Sequence, residues 1–145
     1  MDLTNKLYKV FLIAGSEPLG TAGMQADIKS VSACGGYAAG AITCIVDEDT
    51  IKVKSIHTIP PKMVTDQAYS FLEDVGADCI KTGMLYSKEL VVAIGEVIEK
   101  QTIPIVIDPV MVSSAGDKLL QDDAIQAYKD HLFPHSTIIT PNRRE

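Results

Sequence analysis

Short apolar runs alternate with amphipathic segments along this chain, and that alternation constrains its fold more than any other feature. Runs of apolar or alternating residues predict β-strands at 8–14, 39–46, 53–59, 79–82, 103–107 and 136–140. Apolar residues three and four positions apart predict helices over 22–33, after Pro60 and Ser87, and from Asp122 or Asp123 to about Leu132. Strands that alternate with helices predict an α/β fold with a mainly parallel sheet and helices on both faces.

Length, composition and charge narrow the class of protein. The 145 residues are 46% hydrophobic and 22% charged, which predicts one globular domain spanning 1–145. The formal net charge of -6 argues against nucleic-acid binding, because an acidic surface repels a phosphate backbone. No apolar run reaches the roughly 20 residues of a membrane span, and residues 1–9 resemble no signal or transit peptide. A cytoplasmic location without membrane association is therefore expected.

Polar and glycine-rich segments follow the predicted strand ends, where open α/β sheets bind their ligands. Gly20 to Gly23 lie between a strand and a helix, and their small side chains and backbone N–H groups suit an anion or a polar ring substituent. A simple turn before the helix is the alternative. Asp27 follows one helical turn later, where an acid is also favoured by the helix dipole alone.

Two acidic segments follow later strands. Asp108 ends a very apolar strand and could hold a cation or polarise a nucleophile, or it could cap the next turn. Asn142 and Glu145 carry oxygen atoms one helical turn apart, which suits Mg²⁺ beside phosphate. The same spacing fits a helix N-cap with its capping-box acid.

Two further residues could contact a ligand. Glu48 stands among three consecutive acids after a predicted strand, where a cation site and ordinary solvated loop charge are both open interpretations. Met84 follows Gly83 and would form an adaptable apolar wall if it faces the crevice.

Seven short segments, in this order, resemble the hydroxymethylpyrimidine and phosphomethylpyrimidine kinases of thiamine biosynthesis, within the ribokinase-like superfamily. They are IAGS (13–16), TAGMQADIK (21–29), AIT (41–43), KTGML (81–85), DPVM (108–111), GDKLL (116–120) and ITPN (139–142). The resemblance implies transfer of the ATP γ-phosphoryl group, with Mg²⁺, to a pyrimidine alcohol and to its monophosphate. Pyridoxal and pyridoxamine kinases, which phosphorylate a similar ring, are the alternative within enzymes, and a non-catalytic small-molecule binder is the alternative outside them.

The resemblance also implies roles for individual residues. Substrate-binding residues would be Ala22, Gly23, Asp27, Glu48, Met84 and Val110. Asp108, Asn142 and Glu145 would lie near the ATP phosphates, with Asp108 and Glu145 also at the Mg²⁺ ion. A homodimer is implied for the full-length protein.

The chain departs from the family pattern in three places. Glu48 replaces the usual glutamine, so that an acceptor-only carboxylate replaces an amide that both donates and accepts. The usual Gly-Gly-Ala-Gly is Gly20-Thr21-Ala22-Gly23, and Ser114 replaces the lysine of the family's flexible loop. The Gly-rich anion hole and the catalytic residue are expected beyond Glu145. The chain is therefore interpreted as an incomplete kinase domain that does not turn over alone and that is prone to associate.

Overall fold

The computed structural model describes residues 6–112, 119–121, 123–143 and 145. Its strands are β1 (Lys9–Ser16), β2 (Tyr37–Glu48), β3 (Val53–Thr58), β4 (Cys79–Thr82), β5 (Ile105–Ile107) and β6 (Ile138–Ile139). Its α-helices are α1 (Gly23–Ala33), α2 (Pro61–Asp74), α3 (Lys88–Ile98) and α4 (Ala124–Ala127). A π-helical turn, Tyr128–Leu132, and a 3₁₀ turn, Phe133–His135, continue from α4. Part of the family segment 116–120, namely 116–118, lies outside the described residues, as do Ser114 and Asp122.

The strands form one sheet in the order β3-β2-β1-β4-β5-β6. Every pairing is parallel except that of β2 with β3, which is antiparallel and places β3 at one edge. The alternating pattern at 53–59 predicted a strand, either half-exposed or at an edge, and the structure confirms the strand and places it at the edge. The mainly parallel α/β sheet is confirmed as well.

Helices cover both faces of the sheet, so the central strand β1 is buried on both sides. Phe11 and Ile13 face a large core that contains residues of α2, α3 and α4. Leu12 and Ala14 point to the opposite face, where they pack against Met24 of α1. Such double burial explains why β1 is a continuous apolar run rather than an alternating one.

Local sequence signals set several helix ends. Ser87 caps α3, since its Oγ accepts the Leu90 N–H at 3.3 Å, and Pro61 occupies the first turn of α2. The fifth and last strands are shorter than predicted. Pro104 has no N–H for the ladder, so β5 begins at Ile105.

Candidate functional site

A cavity of about 310 Å³ lies beyond the carboxyl ends of the parallel strands. It is lined by all six predicted substrate-binding residues and by one predicted phosphate-side residue: Ala22, Gly23, Asp27, Glu48, Met84, Val110 and Asp108. These residues come from four different loops or strand ends, and the parallel sheet brings them to the same edge. Asn142 and Glu145 are not among the described residues that line the cavity.

The backbone at the start of α1 passes unusually close to the end of β1. Gly23 has a φ of +57°, and a Cβ atom at this position would lie 2.4 Å from the Gly15 carbonyl oxygen. Only glycine accommodates both the left-handed conformation and this contact. The glycine therefore brings the first turn of α1 against the floor of the cavity.

Glu17 organises the turn before α1, although the sequence pattern suggested only a loop there. Its side chain lies within the cavity wall, and the residue is 5% exposed. Its Oε1 accepts the N–H groups of Thr21 at 2.5 Å and Ala22 at 2.8 Å, and its Oε2 accepts that of Leu19. Burial raises the pKa of Glu17, but these backbone hydrogen bonds outweigh burial and hold the pKa below its usual value. Two of the N–H groups predicted to receive a ligand, those of Thr21 and Ala22, thus already bind an internal carboxylate.

The apolar wall of the cavity is built around Met84. Met84 is buried together with Cys44, Val46 and Leu119, and Val110 packs against this cluster. The hydroxyl of Thr43 donates to the Met84 carbonyl oxygen at 2.7 Å, which fixes the backbone on which the Met84 side chain stands. This wall offers a flat ring an apolar surface.

A lysine that sequence reasoning left without a role joins two acids at the centre of the cavity. Lys81 Nζ lies 2.7 Å and 2.9 Å from the two carboxylate oxygens of Asp27, and 3.6 Å from Asp108 Oδ2. Burial raises the pKa of Asp108, Lys81 lowers it, and the Glu145 and Asp27 carboxylates raise it; the net shift is upward. Among the described residues that line the cavity, Lys81 is the only basic one.

Glu145 lies beside the cavity and is tied to two backbone groups. Its Oε1 accepts the Met111 N–H and its Oε2 accepts the Asn142 N–H, each at 2.9 Å. The second contact is the glutamate half of a capping box, the structural interpretation that the spacing left open. The first contact links the end of the chain to the loop after β5, close to Asp108.

No three His, Cys, Asp or Glu side chains are grouped as a metal site within the described ranges. Cys34, Cys44 and Cys79 are free thiols. No helix in the described part of the chain has the length and hydropathy needed to cross a bilayer.

The sheet, the helices on both of its faces and the cavity at the carboxyl ends of its strands define an α/β protein of the arrangement that the ribokinase-like resemblance implies. Comparison with known proteins narrows this class to one family. The family described as phosphomethylpyrimidine kinase matches residues 17–145. The chain therefore belongs to the phosphomethylpyrimidine kinase family.

Individual relatives agree with this assignment. A hydroxymethylpyrimidine/phosphomethylpyrimidine kinase of Mycobacterium leprae is 38% identical over 139 residues, which cover 94% of this chain and 50% of the relative. The crystal structure of a Clostridium difficile phosphomethylpyrimidine kinase matches with a TM-score of 0.88 and 36% identity, over 95% of this chain and 60% of that one. A Staphylococcus aureus pyridoxal kinase in complex with AMP-PCP and pyridoxal matches with a TM-score of 0.81 and 36% identity, over 94% of this chain and 48% of that one. The chain spans half the length of the Mycobacterium leprae relative.

Proposed function

We propose that this chain supplies the substrate-binding half of an enzyme that phosphorylates 4-amino-5-hydroxymethyl-2-methylpyrimidine and its monophosphate with ATP. The observation that carries the proposal is the shared cavity, which gathers seven of the residues that the resemblance assigned to substrate or phosphate. Membership of the phosphomethylpyrimidine kinase family supports the reaction class. The single domain over 1–145, the homodimer of a longer protein and the cytoplasmic location stay predictions.

The cavity walls suit a substituted aminopyrimidine. Met84 and Val110 would pack on the faces of the ring, and Glu48 would accept a hydrogen bond from the exocyclic amine. An ionised Glu48 cannot donate to a ring nitrogen as a glutamine can, so a ring that is protonated at that nitrogen would fit it better. Binding should therefore weaken as the pH rises through the pKa of the ring.

The opposite end of the cavity would face the nucleotide. ATP would supply the phosphoryl group for in-line transfer to the primary hydroxyl, or to the phosphate of the monophosphate. Asp108 and Glu145, assisted by Asn142, would hold Mg²⁺ largely through water. Burial is the main cause of the raised pKa of Asp108, and Glu145 is close enough to raise it further, so both carboxylates would lie near one hydrated cation.

Isothermal calorimetry with the 145-residue chain tests the proposal. The chain should bind the aminopyrimidine alcohol more tightly than pyridoxal. Met84→Ala should lower that affinity by roughly 10-fold or more, because it removes the apolar wall. Met63→Ala, on the exposed side of α2, is the matched control and should leave the affinity unchanged.

Two outcomes would replace the proposal. A preference for pyridoxal would favour vitamin B6 phosphorylation, which the similarity to a pyridoxal kinase structure makes the second candidate. Ring binding by a full-length protein that does not transfer phosphate would favour the non-catalytic binder. The Glu48→Gln variant helps to distinguish the aminopyrimidine from pyridoxal as the ligand. With an amide at position 48, the neutral aminopyrimidine should bind more tightly, and its binding should no longer depend on pH.

A further inference from the structure

Glu17 is a buried carboxylate for which the proposed reaction has no chemical use. The residue is 5% exposed, and the Thr21 and Ala22 N–H groups donate to Oε1 at 2.5 Å and 2.8 Å. A carboxylate that replaces its water by several backbone donors stays ionised in a buried position. The turn before α1 is thus folded around an internal anion.

This anion contacts the same residues that form the cavity wall. Thr21 and Ala22 donate to Glu17, and both line the cavity together with Gly23. The outer side of the turn is held by α1, because Lys29 Nζ donates to the Gly20 carbonyl oxygen. Glu17 acts from the inner side, so removing its charge should loosen the wall that faces the ligand.

The negative charge of Glu17 also determines which part of a ligand can lie beside the turn before α1. Backbone N–H groups in a turn of this kind bind oxyanions when they are vacant. Here Glu17 already satisfies three of them, and Glu48 adds negative charge to the same cavity, whereas Asp27 is paired with Lys81. At these three N–H groups a phosphate group would meet the Glu17 carboxylate rather than vacant donors.

We propose that Glu17 is a positioning residue whose carboxylate fixes the 19–22 turn as the wall of the ring pocket and keeps that end of the cavity closed to phosphate. The part of this role that concerns the ring rests on the proposed function. The substrate then enters with its ring towards Glu17 and its hydroxymethyl or phosphate group towards Asp108 and Lys81.

Three variants of the 145-residue chain test the role. Glu17→Ala vacates the turn, Glu17→Gln removes the charge at constant size, and Glu17→Asp keeps a carboxylate that can still reach the Leu19 N–H as in an Asx turn. Glu73→Gln, at an exposed position near the end of α2, is the matched control. Each variant is titrated by calorimetry with the aminopyrimidine alcohol and melted in increasing concentrations of inorganic phosphate.

We expect Glu17→Ala and Glu17→Gln to lose roughly 10- to 100-fold in ring affinity, because the wall is misplaced. Glu17→Asp should recover part of the loss, because it keeps the charge and the Leu19 contact but does not reach Thr21 and Ala22. Glu73→Gln should behave as the wild type. Phosphate should raise the melting temperature of Glu17→Ala but not that of the wild type, since the Leu19, Thr21 and Ala22 N–H groups lose their carboxylate partner in the variant.

The role of Glu17 is wrong if Glu17→Gln binds the ring as tightly as the wild type, or if Glu17→Ala folds and shows no response to phosphate. If Glu17→Ala does not fold, the ring affinities of Glu17→Gln and Glu17→Asp decide the question. If the wild type binds no aminopyrimidine, the proposed function fails, while the phosphate melts still decide whether Glu17 excludes anions.

Discussion

Replacing Lys81 by methionine should expose how the charges at the centre of the cavity depend on one another. Lys81 joins Asp27, through two contacts at 2.7 Å and 2.9 Å, to Asp108 at 3.6 Å. Methionine keeps much of the volume but removes the ammonium group. The two carboxylates would then face each other in a partly buried position without a counter-charge.

The structure sets the size of the effect. The side chains of Lys81 and Asp27 are 22% and 19% exposed. Breaking a fully buried ion pair costs about 3–5 kcal/mol, and breaking an exposed one costs about 0–1 kcal/mol. Breaking a pair that is mostly buried should therefore lower the free energy of unfolding by about 2–3 kcal/mol. In a chain of this size, this loss lowers the melting temperature by roughly 5–10 °C.

The loss of stability caused by Lys81→Met should increase as the pH rises. Asp108 already has a raised pKa in the folded state, and losing Lys81 raises that pKa further. In the window above the unfolded pKa of about 3.8, the folded variant then binds more protons than the unfolded chain, so its stability falls as the pH rises. The difference from the wild type should be small near pH 4 and largest near pH 7.

Urea unfolding of the wild type and Lys81→Met across this range measures the effect. Lys62→Met is the matched control, because it breaks a Lys–Asp pair of the same 2.7 Å length in which the side chains are 84% and 55% exposed. Adding Asp27→Asn to Lys81→Met should restore part of the loss, since it removes one unpaired charge. A cost for Lys81→Met that equals the control, or that does not change with pH, would refute the reasoning.

Three further changes have clear expected results. Gly23→Ala should lower the free energy of unfolding by about 3 kcal/mol or more, because its Cβ would lie 2.4 Å from a carbonyl oxygen. Gly35→Ala, at φ +79° with no atom within 4 Å, should lower it by only about 1–2 kcal/mol, and equal losses in thermal melts would contradict the contact argument. Because its pKa is lowered, ionised Glu17 stabilises the fold fully above its ordinary pKa of 4.5, and this stabilisation is lost as the pH falls through the lowered pKa. In urea unfolding, Glu17→Gln should therefore show a smaller loss of stability at acid pH than the wild type. An equal loss would count against this. Ile138→Lys should reduce self-association on ultracentrifugation, because Ile138 is 54% exposed on the edge strand β6. Ile51→Lys, at a 77% exposed residue between β2 and β3, should not reduce it.

The fold was largely predictable because its strands are buried on both faces and its helices carry local stop and start signals. The run at 8–14 became the central strand β1, and Ser87 capped α3 as predicted. The last strand was overestimated. Among the strands that the structure describes, β5 alone lies beside β6, and β5 is itself three residues long. Thr137 and Thr140 therefore bond to β5, but the ladder extends no further.

The location of the site was predictable for the same reason, since the carboxyl ends of parallel strands share one edge. The role of Lys81 was not, because its partner Asp27 lies 54 positions away along the chain. Glu17 is a different case. Its partners are two to five residues ahead, so an acid followed by a glycine-rich turn before a helix could have indicated the contact.

Under the proposed function, the charges of the cavity suit ring binding better than phosphoryl transfer. Glu17, Asp27, Glu48 and Asp108 are acids in the cavity wall, and Lys81 is held by two of them. Such a wall favours a neutral or protonated ring, but it cannot stabilise the negative charge that develops on a transferred phosphoryl group. Cations that neutralise that charge must come from a bound metal ion or from positive groups outside this wall, and the same repulsion would direct the phosphoryl group away from the ring pocket.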